Sequence, residues 1–221
     1  VAAVLEVTGL RKAFDGCAVL DGVDLRVAPG EVVALLGGNG SGKTTTLRCL
    51  AGLTVPDAGT IRIDGVDALA RGKEARRGLS YMAQRCTFPP TLRVHEAVGV
   101  VAAVRGVPGS RVGEEIEACG LGACAGKYVG ALSGGQRQRL GLALALLPDV
   151  PLYVFDEPSA NLDDESLSVF LARARGLARG GRAVLFTTHA ASDVRALASR
   201  VVRIERGRCK REPLLAMVAC R

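Results

Sequence analysis

Apolar residues along this chain fall into short blocks, separated by glycine, proline and clusters of charge. Residues 4–7 and 19–27 carry partly alternating apolar positions, the period of a strand with one buried face. Pro29-Gly30 marks a turn after the second. Residues 32–36 form an unbroken apolar run and predict a buried strand. Beyond Lys43, Thr44, Leu47, Leu50 and Ala51 recur at helical spacing, which predicts a helix ending near Gly52. Residues 59–65 alternate and read as a hairpin arm. From about residue 85 the pattern turns helical, over 94–104 and 111–118, with a break at 106–110. Helix 136–147, strand 152–155, helix 164–178, strand 183–187, helix 190–198 and strand 201–205 complete the chain.

Alternating strands and helices imply an α/β fold with a mostly parallel sheet, preceded by an N-terminal antiparallel β part. The expected organisation is a single domain over residues 1–221. Its α/β core takes 1–84 and 139–221, and a helical subdomain over 85–138 is inserted in it.

Composition removes several classes. With 48% apolar and 23% charged residues in a chain of 221, a sizeable core is expected and wholesale disorder is not. Aromatics are 4% with no Trp, which argues against a nucleic-acid reader built on stacked rings, and no nucleic acid is expected as a partner. The longest apolar stretch, 140–148, ends at Asp149, well short of the ~20 residues of a membrane-spanning helix. The first residues do not read as a secretory signal. The seven cysteines are odd in number, scattered, and contain no CxxC pair. That suits free thiols in a reducing cytoplasm. The excess of 29 basic over 22 acidic side chains is densest after residue 195 and reads as a solvated basic surface.

The chemistry begins after the strand at 32–36. Gly37, Gly38, Asn39, Gly40, Ser41, Gly42, Lys43 and Thr44 fit G-x-x-x-x-G-K-[ST] between a strand and a helix. Glycines let successive N–H groups turn inward around a phosphate, and the helix N-terminus adds partial positive charge. Lys43 supplies a full charge to the β- and γ-phosphates, and the Thr44 hydroxyl suits Mg²⁺. A second apolar strand ends in Asp156-Glu157. Asp156 would hold Mg²⁺, and Glu157 would act as general base on the attacking water. Leu132-Ser133-Gly134-Gly135-Gln136 opens a helix and forms a second anion site of the same kind. One chain needs only one phosphate loop. The second site is explained if two copies meet head to tail and complete each other.

With these motifs in this order, the sequence resembles the ATP-binding subunit of ABC transporters over nearly its whole length, with an exporter-like (ABC-2-like) build. The resemblance implies a P-loop NTPase (RecA-like) core and an ATPase that closes as a head-to-tail dimer on two Mg-ATP. It implies that Phe14 stacks on adenine, and that residues 37–44 with Thr45 form the Walker A loop. Gln84 corresponds to the Q-loop glutamine, in contact with Mg²⁺ and water. Ser133, Gly134, Gly135 and Gln136 form the signature, and Asp163 belongs to the D-loop, in which Asn161 stands where Ala or Gly is commoner. His189 is the switch histidine facing the γ-phosphate, whereas His95 reads as a surface residue. The implied partners are separate transmembrane permease subunits, docked near residues 85–106, and a second ATPase subunit, identical or closely similar. The expected location is cytoplasmic, peripheral on the inner face of the membrane. The alternative is a soluble ABC ATPase in translation, repair or cofactor assembly.

Overall fold

The computed structural model describes residues 2–159 and 163–212; Asn161, Cys220 and Arg221 lie outside them. Strands β1 (Leu5–Phe14), β2 (Cys17–Val27), β4 (Ala58–Ile63) and β5 (Val66–Asp67) form an antiparallel sheet in the order β2-β1-β4-β5. The second sheet has six strands in the order β10-β9-β3-β8-β7-β6. Its members are β3 (Val32–Leu36), β6 (Leu79–Met82), β7 (Leu152–Phe155), β8 (Ala183–Thr187), β9 (Arg200–Glu205) and β10 (Arg208–Glu212). All its pairings are parallel except β9 with β10. The helices are α1 (Lys43–Leu50), α2 (Gly72–Ala75), α3 (Val94–Arg105), α4 (Ser110–Ala118), α5 (Gly134–Leu146), α6 (Asp164–Arg179) and α7 (Ala191–Leu197).

The unbroken apolar runs at β3, β7 and β8 follow from a sheet covered on both faces. Val32, Ala34 and Leu36, with Tyr153, Phe155, Val184 and Phe186, point to one core, packed by α3 to α6. Val33 and Leu35, with Leu152, Val154 and Leu185, point to the other, shared with α1 and the antiparallel sheet. On the first face Phe170 of α6 meets Phe155 edge-on at 5.5 Å between ring centroids. Helix α4 is tied to α6 by Glu115, 2% exposed, which accepts from Arg173 at 2.5 and 2.7 Å. Removing one partner of such a pair leaves a buried charge, at a cost of about 3–5 kcal/mol.

Two stretches differ from the expected pattern. Residues 66–84 hold β5, α2 and β6, all too short to show a period in sequence. The basic C-terminal stretch is not wholly a solvated surface. Arg200 holds Glu31 at 2.5 and 3.1 Å, and Arg208 of β10 holds Asp21 of β2 at 2.8 and 3.0 Å. Burial pushes the thiols of Cys49, Cys86 and Cys209 up to about 11 and that of Cys119 to about 12, so these side chains pack as neutral thiols.

Candidate active site

A parallel sheet delivers the ends of its strands to one edge, where open α/β sheets hold ligands. The register here aligns four of them. Met82 pairs with Phe155, Phe155 with Phe186, and Thr187 with Leu35. The residues that follow these strands therefore converge: Gln84 after β6, Asp156 and Glu157 after β7, Thr188 and His189 after β8, and the glycine loop after β3. Lys43, Thr44, Thr45, Gln84, Glu157 and His189 line one cavity of about 520 Å³ with Asn39, Gly40, Ser41 and Gly42.

The loop can take its shape only with glycine at two of its positions. A Cβ on Gly37 would lie 2.4 Å from the Ile204 carbonyl oxygen, and Gly42 has φ +106° with Leu20 Cδ2 2.6 Å from a Cβ. The helix that follows starts without a side-chain cap. Its first turn closes with Thr46 N–H donating to the Gly42 carbonyl at 2.8 Å. The N–H groups of Lys43, Thr44 and Thr45 thus have no carbonyl within the helix and face an anion. Lys43 is buried and donates to the carbonyls of Gly37 at 2.7 Å and Gly38 at 3.1 Å. Burial lowers its pKa, while the charges of Glu157 and Asp156 pull it up.

Asp156 is 1% exposed. Its Oδ1 accepts from the Thr187 hydroxyl at 2.8 Å and the Thr44 hydroxyl at 3.3 Å, whereas its buried Oδ2 has no hydrogen-bond partner among the described residues. Burial raises its pKa, against the two threonine hydrogen bonds. A buried carboxylate oxygen without a donor, beside a hydroxyl, fits a hard divalent cation. Thr44 and Asp156 would hold Mg²⁺ on this reading. The Gln84 amide points its Nε2 at Glu157.

Both carboxylate oxygens of Glu157 are engaged. Oε2 accepts from Gln84 Nε2 at 2.6 Å, and Oε1 meets His189 Nε2 at 2.7 Å. The Glu157 backbone has φ +48°. Among the described residues, the other non-glycine positions with positive φ, Asp15, Asp64 and Arg206, each precede a glycine in a tight turn; Glu157 precedes Pro158. Such a conformation costs about 1–3 kcal/mol outside a turn and persists where the surroundings impose it. Its N–H donates to the Thr187 hydroxyl at 2.7 Å, which fixes it.

Other expected site residues sit elsewhere. Ser133 and Gly134 are exposed, and none of the four signature residues lines the cavity. Ser133 caps α5: its Oγ accepts from the Gln136 N–H at 3.2 Å, and Gln136 Oε1 accepts from the Ser133 N–H at 3.0 Å. Asp163 caps α6 through the Ser166 N–H at 2.8 Å and lies against Gly135, whose Cβ would be 3.3 Å from Asp163 Oδ2. Phe14 is exposed at the end of β1 with Lys12 Nζ 5.3 Å from its ring centroid, and Val19 lines the cavity instead. His95 is exposed. Sequence reasoning missed Thr187, which joins Asp156 to Glu157. Its signal was a hydroxyl residue ending a strand beside the strand that carries both carboxylates.

The chain is similar to known proteins in sequence and in fold. A sequence model of the ABC transporter family matches residues 20–160. The Nod factor export ATP-binding protein I of Paraburkholderia xenovorans is 37% identical over 210 residues, 93% of this chain and 69% of that protein. The sulfate/thiosulfate import ATP-binding protein CysA of Rhodopseudomonas palustris is 39% identical over 213 residues, 92% of this chain and 61% of that protein. A solved ATP-binding subunit of an ABC transporter superposes with a TM-score of 0.88 at 27% identity, covering 94% of this chain and 90% of the other. The dimeric ATP-binding cassette MJ0796 bound to ADP and Pi shares the fold, with a TM-score of 0.86 at 24% identity, covering 95% and 97%.

Proposed function

The chain is an ATP-hydrolysing member of the ABC transporter family, and from that premise we propose that it powers solute movement across a membrane as a head-to-tail pair of ATP-binding subunits docked on separate permease subunits. Its two relatives above serve export and import, so the shared role is the power stroke rather than a direction. One observation carries this reading. The base, the switch histidine and the phosphate loop share one cavity, while Ser133 and Gly134 of the signature are exposed and lie outside its lining.

The residues divide the work as follows. The open N–H groups at the start of α1 and the Lys43 ammonium bind the phosphates of ATP. Two of the three Lys43 N–H donors go to the Gly37 and Gly38 carbonyls, which leaves one for a phosphate oxygen. Mg²⁺ held by Thr44 and Asp156 would offset phosphate charge. Glu157 takes the proton of the attacking water. Each of its oxygens holds one contact, to Gln84 or to His189, and keeps a second lone pair for the water. His189 then turns toward the γ-phosphate. The signature of the partner copy supplies Ser133 and glycine N–H groups to the same phosphate, so ATP holds the pair closed. Phe14, exposed at the end of β1, would stack on the adenine ring. On this reading the subunit works in the cytoplasm, docked on the inner face of the membrane.

Docking of the permease falls to residues 85–106. They border a groove of about 490 Å³ lined by Arg85, Cys86, Phe88, Val101 and Arg105, and Val100 and Val104 of α3 are largely exposed beside it. The test is recovery of tagged Glu157→Gln chain with Mg-ATP from detergent-solubilised membranes of its source. A multi-span protein in near-equal amount is the expected result. Recovery of soluble partners alone overturns the transport role.

A further inference from the structure

Asp193 lies in the first turn of α7 and is 3% exposed, a buried carboxylate that the hydrolytic scheme above leaves without a task. Its Oδ2 accepts from two hydroxyls, Ser159 Oγ at 2.5 Å and Thr188 Oγ1 at 2.8 Å. Its Oδ1 meets Ser192 Oγ at 3.4 Å. Ser159 lies two residues beyond Glu157, and Thr188 immediately precedes His189. Thr188 Oγ1 also accepts the Ala190 N–H at 3.0 Å, which closes a short turn with His189 at its apex.

One carboxylate oxygen therefore holds both segments that carry the hydrolytic pair, and the pair itself touches at 2.7 Å. Thr187 makes a matching link one residue earlier, between Asp156 and the Glu157 N–H. The two adjacent threonines divide the job. Thr187 fixes the strand-end carboxylates. Thr188, through Asp193, fixes the loop after them. Charge-assisted bonds from hydroxyl to carboxylate are shorter and about twice as strong as neutral ones, so the link is stiff.

We propose that Asp193 is a positioning residue for ATP hydrolysis, setting the approach of His189 to Glu157 by gripping Ser159 and Thr188 together. It does not line the phosphate cavity, and the proposal rests on the reading of Glu157 and His189 as the hydrolytic pair. Displacing a reacting group by a fraction of an ångström costs rate and leaves phosphate binding alone.

The experiment measures steady-state Mg-ATP hydrolysis and ATP binding for the full chain. Asp193→Ala should lower kcat about tenfold to a hundredfold, with KM for ATP moved less than about twofold. Asp193→Asn keeps an oxygen for both hydroxyls and should stay within about threefold of wild type. A role through His189 makes the losses non-additive, so Asp193→Ala should cost almost nothing more in a His189→Ala chain. A purely structural role gives multiplying losses and no rescue by asparagine, and that result overturns the proposal. So does a wild-type kcat for Asp193→Ala while Glu157→Gln and His189→Ala are slow. If Glu157→Gln and His189→Ala themselves hydrolyse at the wild-type rate, the hydrolytic pair is misread and the positioning role falls with it. Should Asp193→Ala fail to fold, Thr188→Val removes one donor at nearly constant shape and carries the same cycle with the same criteria.

Discussion

Two helix N-termini in this chain carry almost the same local chemistry, glycines followed by polar residues, and the structure treats them differently. The start of α1 is uncapped, and β6, β7 and β8 bring Gln84, Glu157 and His189 into its cavity. At the start of α5 the Ser133 and Gln136 side chains take each other's backbone N–H, and the first two residues of the signature, Ser133 and Gly134, are exposed. A capped end is stable by itself, and an uncapped one awaits an anion. The contrast teaches that an anion motif is a site only when other elements close over it. At α1 the same chain does so. At α5 the closure falls to a second copy in our reading.

Substitutions at the two ends separate them. The largest effect falls on Glu157→Gln, which should slow hydrolysis about 10²- to 10⁴-fold and leave ATP binding intact, so that a paired, ATP-bound form accumulates in size-exclusion chromatography. Wild-type turnover in that chain would remove Glu157 as the base. At the other end, Ser133→Arg in the Glu157→Gln background should weaken ATP-dependent pairing by at least about tenfold through steric and charge conflict, with ATP affinity of the single chain unchanged. Normal pairing would break the comparison.

The smallest effect is on stability. Burial raises the Asp156 pKa, so the folded chain keeps that proton to higher pH than the unfolded one. Stability from this group is fully present below the ordinary carboxylate range and is lost as pH rises through the raised value. At neutral pH Asp156→Asn should therefore raise the Tm of the nucleotide-free chain by about 2–4 °C, while hydrolysis is lost. A lower Tm by calorimetry would show that the carboxylate is not a buried cost.

Much of this was legible in sequence because it rests on local rules. The strands at 32–36, 152–155 and 183–187 coincide with β3, β7 and β8, since a strand covered on both faces must be apolar throughout. Glycine and Lys-Thr spacing predicts a phosphate loop between a strand and a helix, and residues 39–44 line the cavity at the junction of β3 and α1. What stayed hidden depends on tertiary placement. Strand β10 reads Arg-Cys-Lys-Arg-Glu, and only its pairing with β9 makes it a strand. Thr187 and Asp193 carry no spacing signal; their importance comes from which strand ends lie side by side. The capping of α5 by Ser133 and Gln136 was present in the letters as a capping box, but the motif was read for anions first.

In the head-to-tail pair, one complete site takes Lys43 from one chain and Ser133 from another. Equal amounts of Lys43→Ala and Ser133→Arg chains, each inactive alone, test it directly. In a head-to-tail pair of the two, one interface keeps both the intact Lys43 and the intact Ser133. Random pairing then predicts Mg-ATP hydrolysis at about a quarter of the wild-type rate. A mixture no faster than the sum of its separate components would contradict the shared site.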